Sequence, residues 1–221
     1  IMTRRVLPVA HDSELEHNPI SRPKILVRLI SSSLWKAATK MDRFARVVLG
    51  YHGCSARFAN DVLAGRVKIN EWKMSENPYD WLGHGIYFWE HAPERARTWP
   101  ASRQVGGVVG AVIQLGRCLD FTDVQYTDLL RIRYEAVARM YREEELVLPE
   151  NRAKRRSLDC LMINELTRQQ GALSSPFQTV RSPFLEGEPA FPGSSILRES
   201  HIQIAVLDRE CLLGVFRPNL D

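Results

Sequence analysis

Three short segments of this 221-residue chain hold residues whose types could do chemistry together. Tyr51-His52-Gly53 sets an imidazole beside a glycine, whose bare backbone lets a ligand approach closely. Gly83-His84-Gly85-Ile86-Tyr87-Phe88 leads from two glycines into a flat aromatic that could stack on a planar ring. His201-Ile202-Gln203-Ile204-Ala205-Val206-Leu207-Asp208 puts an imidazole and an amide two positions apart, which on a strand aims both at one face. Ahead of that run, Leu185-Glu186-Gly187-Glu188-Pro189 offers two carboxylates able to take a proton. Each segment alone has an ordinary reading. A His-Gly pair after a strand is commonly a turn, a G-x-G-I-Y-F run a tight turn with a core aromatic, and loop glutamates commonly face solvent.

The elements that must position these residues follow from apolar spacing. Val47 to His52 is a short apolar run and predicts a buried strand. Ala56 to Gly65 predicts a helix with Phe58, Val62 and Leu63 on one face and Gly65 as its stop. Pro93 to Trp99 predicts a helix with proline in its first turn. Val108 to Leu115 predicts a strand, continued by Cys118 to Phe121 after Gly116. Helical periods run over Leu129 to Leu146 and Arg156 to Gln169, with the basic run Arg152-Ala153-Lys154-Arg155-Arg156 between them. That run is read first as a solvated loop or helix start, second as a phosphate-tracking patch. Strands are predicted again over Phe177 to Phe184, His201 to Leu207 and Leu212 to Phe216, with a loop over Leu185 to Gly193. Strands at both ends with helices inserted make the class α+β. Residues 1–45 separate as a basic appendage, with an amphipathic helix expected from Pro23 to Met41 and lysines at 24, 36 and 40.

Composition narrows the function classes. Thirty Lys and Arg against 26 Asp and Glu give a net charge of +4, which permits an acidic partner such as RNA or DNA without requiring one. Cys54, Cys118, Cys160 and Cys211 form no C-x-x-C pair, so neither a zinc site nor a disulfide framework is expected, and no metal is assigned. No apolar run is long enough to cross a bilayer, and the first twenty residues lack the apolar core of a signal peptide. The expectation is a cytoplasmic protein with reduced thiols and no membrane partner.

Together and in this order, the three segments resemble the PARP-type, diphtheria-toxin-like ADP-ribosyltransferases. That family carries H-G on its first strand, G-x-G-[IV]-Y-F leading into a helix, and a late strand that opens on a catalytic glutamate and ends in aspartate. Here Gln203 opens that run and Asp208 ends it, so the resemblance spans roughly Val47 to Phe216. It implies a split antiparallel β-sheet with inserted helices, residues 46–221 as the catalytic domain, and NAD as substrate. The middle helices and the N-terminal segment have no counterpart in it.

The resemblance also implies roles. His52 would hydrogen-bond the adenosine ribose, Gly53 would pair its backbone with the nicotinamide amide, and Tyr87 would stack on the nicotinamide, with Gly85 in the turn beside it. Trp99 lies close to where many members carry a second stacking aromatic. Breaking the nicotinamide–ribose bond builds positive charge on the ribose. A glutamate at position 203 would oppose that charge; glutamine keeps hydrogen bonds but cannot act as a base. Glu186 or Glu188, in the loop that faces the acceptor in such enzymes, could supply the base, as could His201. The implied activity is mono-ADP-ribosyl transfer to a nucleic acid or protein acceptor. An NAD glycohydrolase and an NAD- or nucleic-acid-binding relative without turnover stay open. By analogy the setting is that of a bacterial toxin or effector, with an antitoxin protein as partner.

Overall fold

The computed structural model describes residues 46–98, 106–171 and 176–220. The expected N-terminal helix, residues 1–45 as a unit, and Trp99 lie outside them.

The strands and helices, in chain order, are β1 (Val47–Cys54), α1 (Ala56–Leu63), β2 (Ile86–Glu90), α2 (Pro93–Thr98), β3 (Gly107–Gln114) and β4 (Cys118–Asp120). They continue with α3 (Val124–Glu143), β5 (Asn151–Arg152), β6 (Arg155–Arg156), α4 (Ser157–Gly171), β7 (Thr179–Phe184), β8 (His201–Val206) and β9 (Leu212–Phe216). Local chemistry sets several boundaries. The Ser55 hydroxyl accepts from the Phe58 N–H and opens α1, and Gly65, at φ 71°, lies just past its end. Asp123 caps α3 by accepting from the Gln125 N–H, so this helix begins five residues before the apolar period that announces it. The basic run forms the two-stranded hairpin β5–β6, where a loop or helix start was expected. Ala153, at φ 48°, makes its turn.

Seven strands form one sheet in the order β4-β7-β8-β2-β1-β3-β9. The architecture is α+β, as expected. The sheet is mixed, because β4 runs parallel to β7 while the other neighbours are antiparallel. The parallel pair arises because α3 and α4 carry the chain between these two strands, the crossover that parallel neighbours require.

Each face of the sheet buries its own cluster. On one, Ala59 and Val62 of α1 pack with Trp72, Ile86, Phe88, Ile204 and Val206. On the other, Leu129 of α3 and Ile163 and Leu166 of α4 pack with Leu82, Leu119, Val180 and Ala205. On that second face Trp89 packs with Ala96 of α2 and Val108 of β3. The second face is therefore covered in two places, by α3 and α4 over one half and by α2 over the other.

Helices α3 and α4 are joined by a buried ion pair, with Arg133 Nη2 2.8 Å from Glu165 Oε2. Arg133 is only 3% exposed, and burial lowers its pKa. Glu165→Ala should therefore cost about 3–5 kcal/mol, because it strands a charge in the interior. Replacing both residues by leucine should restore most of that loss. Urea unfolding of the single and double variants checks this; equal destabilisation by the two would refute the account.

Candidate functional site

β8, β2 and β1 are neighbours, so the three segments singled out in the sequence meet on adjacent strands. The register sorts their side chains. Tyr51 is opposite Trp89, and Trp89 opposite Gln203. Tyr87 is opposite Ala205. Opposed residues share a face and alternate residues share it too, so Tyr87, Trp89, His201 and Gln203 all lie on the face covered by α2, α3 and α4. His52 points to the opposite face, among the rings of Phe58, Trp72 and Phe88 at centroid distances of 6.2, 5.4 and 5.6 Å.

Between β1 and β2 the ladder is short. It holds Gly50 to Glu90 and Tyr51 to Trp89, and stops there. The Leu49 carbonyl accepts from the His91 N–H at 3.0 Å, so the backbone groups of Leu49 face β2, and by alternation so do those of Tyr51 and Gly53. A continued ladder would set Gly53 against Tyr87. Instead the Tyr87 carbonyl accepts from His52 Nδ1–H at 2.8 Å. The Gly53 N–H and C=O, which face β2, fall outside the ladder. Burial lowers the His52 pKa, so the ring is neutral, with its proton on Nδ1 and a lone pair on Nε2.

Tyr87 is more than a stacking face. Its hydroxyl donates to the Gly83 carbonyl at 2.6 Å and accepts from the Leu82 N–H at 2.8 Å. Burial raises its pKa far above the usual phenol value and keeps it a donor. From the other side, Asn164 of α4 accepts from the His84 N–H at 2.8 Å. Gly83 adopts φ 74°, and a Cβ there would sit 2.5 Å from Asn164 Oδ1, so the turn requires glycine. A Cβ on Gly85 would meet Ala205 Cβ and the Val206 carbonyl at 3.1 Å, so this glycine lets the turn lie against β8. The turn is held by Tyr87 and Asn164 as well as by its glycines.

Gln203 is buried at 3% exposure. Its orientation follows from its neighbours. His201 Nδ1 lies 2.7 Å from the Glu199 carbonyl and must donate to it, which leaves Nε2 as an acceptor. Gln203 Nε2 lies 3.0 Å from His201 Nε2 and donates to it. The amide is thereby aimed, and its Oε1 is buried with no partner among the described residues. A buried acceptor without a donor is costly in the unliganded protein, and a ligand hydroxyl would satisfy it.

The structure separates the two loop glutamates. Glu186 Oε2 lies 2.7 Å from Arg95 Nη2 and 3.8 Å from His201 Nδ1. Arg95 also meets Glu199 at 3.3 Å, so one cation stands between two carboxylates beside His201. Glu188 is exposed, and its carbonyl accepts from the Arg198 N–H within the loop. Tyr87, Gln203, His201 and Glu186 thus gather on one face around β2 and β8 with Gly53 and Gly85 in the backbone beside them, whereas the His52 ring lies on the other face and Glu188 faces solvent. Sequence reasoning missed Arg95, Asn164 and Trp72. Arg95 had one legible signal, its place on the helix that follows the G-x-G-I-Y-F strand. Asn164 had none, because its role depends on how α4 lies against the turn. Among the described residues no cluster of His, Cys, Asp and Glu could hold a metal ion, and no helix is long and apolar enough to cross a membrane.

Two outcomes follow. Tyr87→Phe keeps the ring but removes both hydroxyl bonds, and should cost about 1–3 kcal/mol of stability by leaving the Leu82 N–H and Gly83 carbonyl unpaired. Tyr87→Ala should lose this and the stacking face together. Urea unfolding of the two variants separates the hydroxyl's contribution from that of the ring. The second outcome concerns pH. Burial lowers the His201 pKa below its ordinary value of about 6.5, so the unfolded chain takes up this proton first. The neutral ring contributes stability that is fully present above that ordinary value and is lost as pH falls through it toward the folded-state pKa. His201→Gln should flatten the stability–pH curve below about pH 6.5; an unchanged curve would refute the assignment.

Compared with known protein families, curated proteins and solved structures, the chain matched none.

Proposed function

We propose that this protein is an NAD-dependent mono-ADP-ribosyltransferase, cleaving the nicotinamide–ribose bond and passing ADP-ribose to a macromolecular acceptor. The observation that carries the reading is the interrupted β1–β2 ladder. It leaves Gly53 N–H and C=O open beside Tyr87 while β8 presents a buried, unpaired Gln203 Oε1 from the neighbouring strand. A carboxamide can pair with Gly53 in both senses, since it donates and accepts. The Tyr87 ring offers a stacking surface at the same gap. Gln203 Oε1 can accept from a ribose hydroxyl, while His52, on the other face of the sheet, acts through its bond to the Tyr87 carbonyl. In this reading the site is a set of acceptors and one open backbone donor, complementary to the nicotinamide riboside half of NAD.

The charge that Gln203 lacks is met one layer out. Among the described residues, two carboxylates, Glu186 and Glu199, flank the single guanidinium of Arg95 beside His201. These carboxylates favour a developing oxocarbenium ion on the ribose. In this reading Glu186 takes the acceptor's proton as the new glycosidic bond forms. Nicotinamide departs with the bonding electrons, and the acceptor oxygen or nitrogen attacks the ribose carbon that it leaves.

Incubation with NAD labelled in its adenylate half tests this. Label on a macromolecule together with released nicotinamide supports transfer. Nicotinamide release with free ADP-ribose alone identifies a glycohydrolase, and no nicotinamide release identifies a binding protein. Glu186→Gln should lower transfer about 10²–10⁴-fold with NAD affinity retained, because a general base acts in the transition state. Glu188→Gln should leave transfer unchanged. Full activity in Glu186→Gln would remove Glu186 from the mechanism.

A further inference from the structure

The basic hairpin β5–β6 is docked against the rim of this site, and we infer that it seats a single-stranded nucleic acid as the acceptor. The inference rests on the ADP-ribosyl-transfer reading for what happens to the bound strand, but not for the binding itself. Arg155 places its guanidinium 4.1 Å from the Tyr79 ring centroid, and Arg156 lies 5.0 Å from that of Trp81. Two hydrogen bonds to its backbone fix the hairpin there. Trp81 Nε1–H donates to the Lys154 carbonyl at 2.8 Å, and the Arg156 N–H donates to the Tyr79 carbonyl at 3.2 Å. Trp81 then touches the chemistry: its ring lies 4.9 Å from Phe184 and 6.5 Å from His201, which holds Gln203. A path of direct contacts runs from the hairpin's arginines through Trp81 to the amide.

The way these arginines are held leaves them suited to phosphate. Among the described residues neither Arg155 nor Arg156 has a carboxylate partner. Each uses the face of its guanidinium on an aromatic ring, so the in-plane N–H donors that bind phosphate in pairs remain available. Beside the hairpin a cavity of about 300 Å3 is lined by Arg152, Arg155, Ser157 and Glu150. Glu150 pairs with Arg152 at 2.8 Å, so the uncompensated charge on that wall is that of Arg155. Cations stacked in series along a hairpin match the repeated charges of a phosphate backbone. A single strand suits this rim, because the acceptor must reach the NAD ribose carbon held beside buried Gln203, and a sugar or base inside a duplex cannot do so without eversion.

Fluorescence anisotropy of the full chain with a labelled single-stranded oligonucleotide, RNA and DNA in turn, tests the inference. Wild type should bind at about 50 mM salt and weaken steeply as salt rises. The double variant Lys154→Glu/Arg155→Glu should bind about tenfold or more weakly, with a salt slope smaller by about one for each phosphate it no longer neutralises. Arg155→Lys, which keeps the charge but loses the stacked guanidinium and its paired donors, should bind more weakly than wild type with an unchanged salt slope, and thermal melting controls for folding. No binding by wild type, an unchanged affinity in the double variant, or duplex bound as tightly as single strand would overturn the inference. So would transfer of NAD label to protein and not to the oligonucleotide. Nicotinamide release without acceptor, measured on the same preparations, reads the NAD reaction alone. Its absence would sink the proposed activity while leaving the hairpin to be judged on binding.

Discussion

The candidate site depends on one displaced hydrogen bond. Inside a sheet, backbone N–H and C=O groups are expected to pair with the neighbouring strand, and leaving them unpaired costs free energy. Between β1 and β2 that pairing ends at Tyr51 and Trp89, and beyond it His52 Nδ1–H donates to the Tyr87 carbonyl. A side chain thereby substitutes for a backbone donor. The β2 carbonyl remains satisfied, and the sheet gains a gap at Gly53 in its interior, away from its edges. The neutral state of His52 belongs to the same arrangement, since the ring sits among Phe58, Trp72 and Phe88, where a charge would be poorly solvated.

Around the gap the backbone is held by side chains from several elements. The Gly83 turn is gripped by the Tyr87 hydroxyl and by Asn164 from α4. On the far side of β8, Arg181 is bound by Glu90 at 2.5 Å and Asp120 at 3.1 Å, and Asp120 is bound by Arg46 at 2.5 Å. This network ties β2, β4 and β7 together across the strand that carries Gln203. Strands held in this way keep the polar atoms of the site in place before any ligand arrives, and such preorganisation is what lets a hydrogen bond contribute to binding without an ordering cost.

Gln203 fits its surroundings as a glutamine. The proton on His201 Nδ1 is committed to the Glu199 carbonyl, so His201 Nε2 offers a lone pair, and an amide N–H answers it. A carboxylate at the same place would set oxygen against that lone pair unless the ring took up a proton. The negative charge beside the site comes from Glu186 and Glu199, with Arg95 holding both in position. The local design therefore separates two tasks, hydrogen bonding on β8 and charge in the loop and α2.

Much of the fold was legible in the sequence, because apolar spacing and capping residues act locally. The strands at Val47, Val108, Thr179, His201 and Leu212, and the helices at Ala56, Pro93 and Ser157, follow from such signals within a residue or two. The start of α3 is an exception, since the Asp123 cap opens the helix before its apolar period begins. Of the site, His52, Tyr87, His201 and Gln203 were legible as residue types at strand ends, and the shared face of His201 and Gln203 followed from alternation alone. Strand order was beyond reach, because pairing partners are chosen by burial across the whole chain and not by neighbours in sequence. Tertiary packing also decided that Glu186 meets Arg95 while Glu188 faces solvent, although the two stand close together in one loop. It decided too that Asn164 grips a turn from a distant helix, and that the basic run folds back onto Tyr79 and Trp81. Each of these depends on where a remote element comes to rest, and that position is fixed only when the two faces of the sheet bury their separate cores.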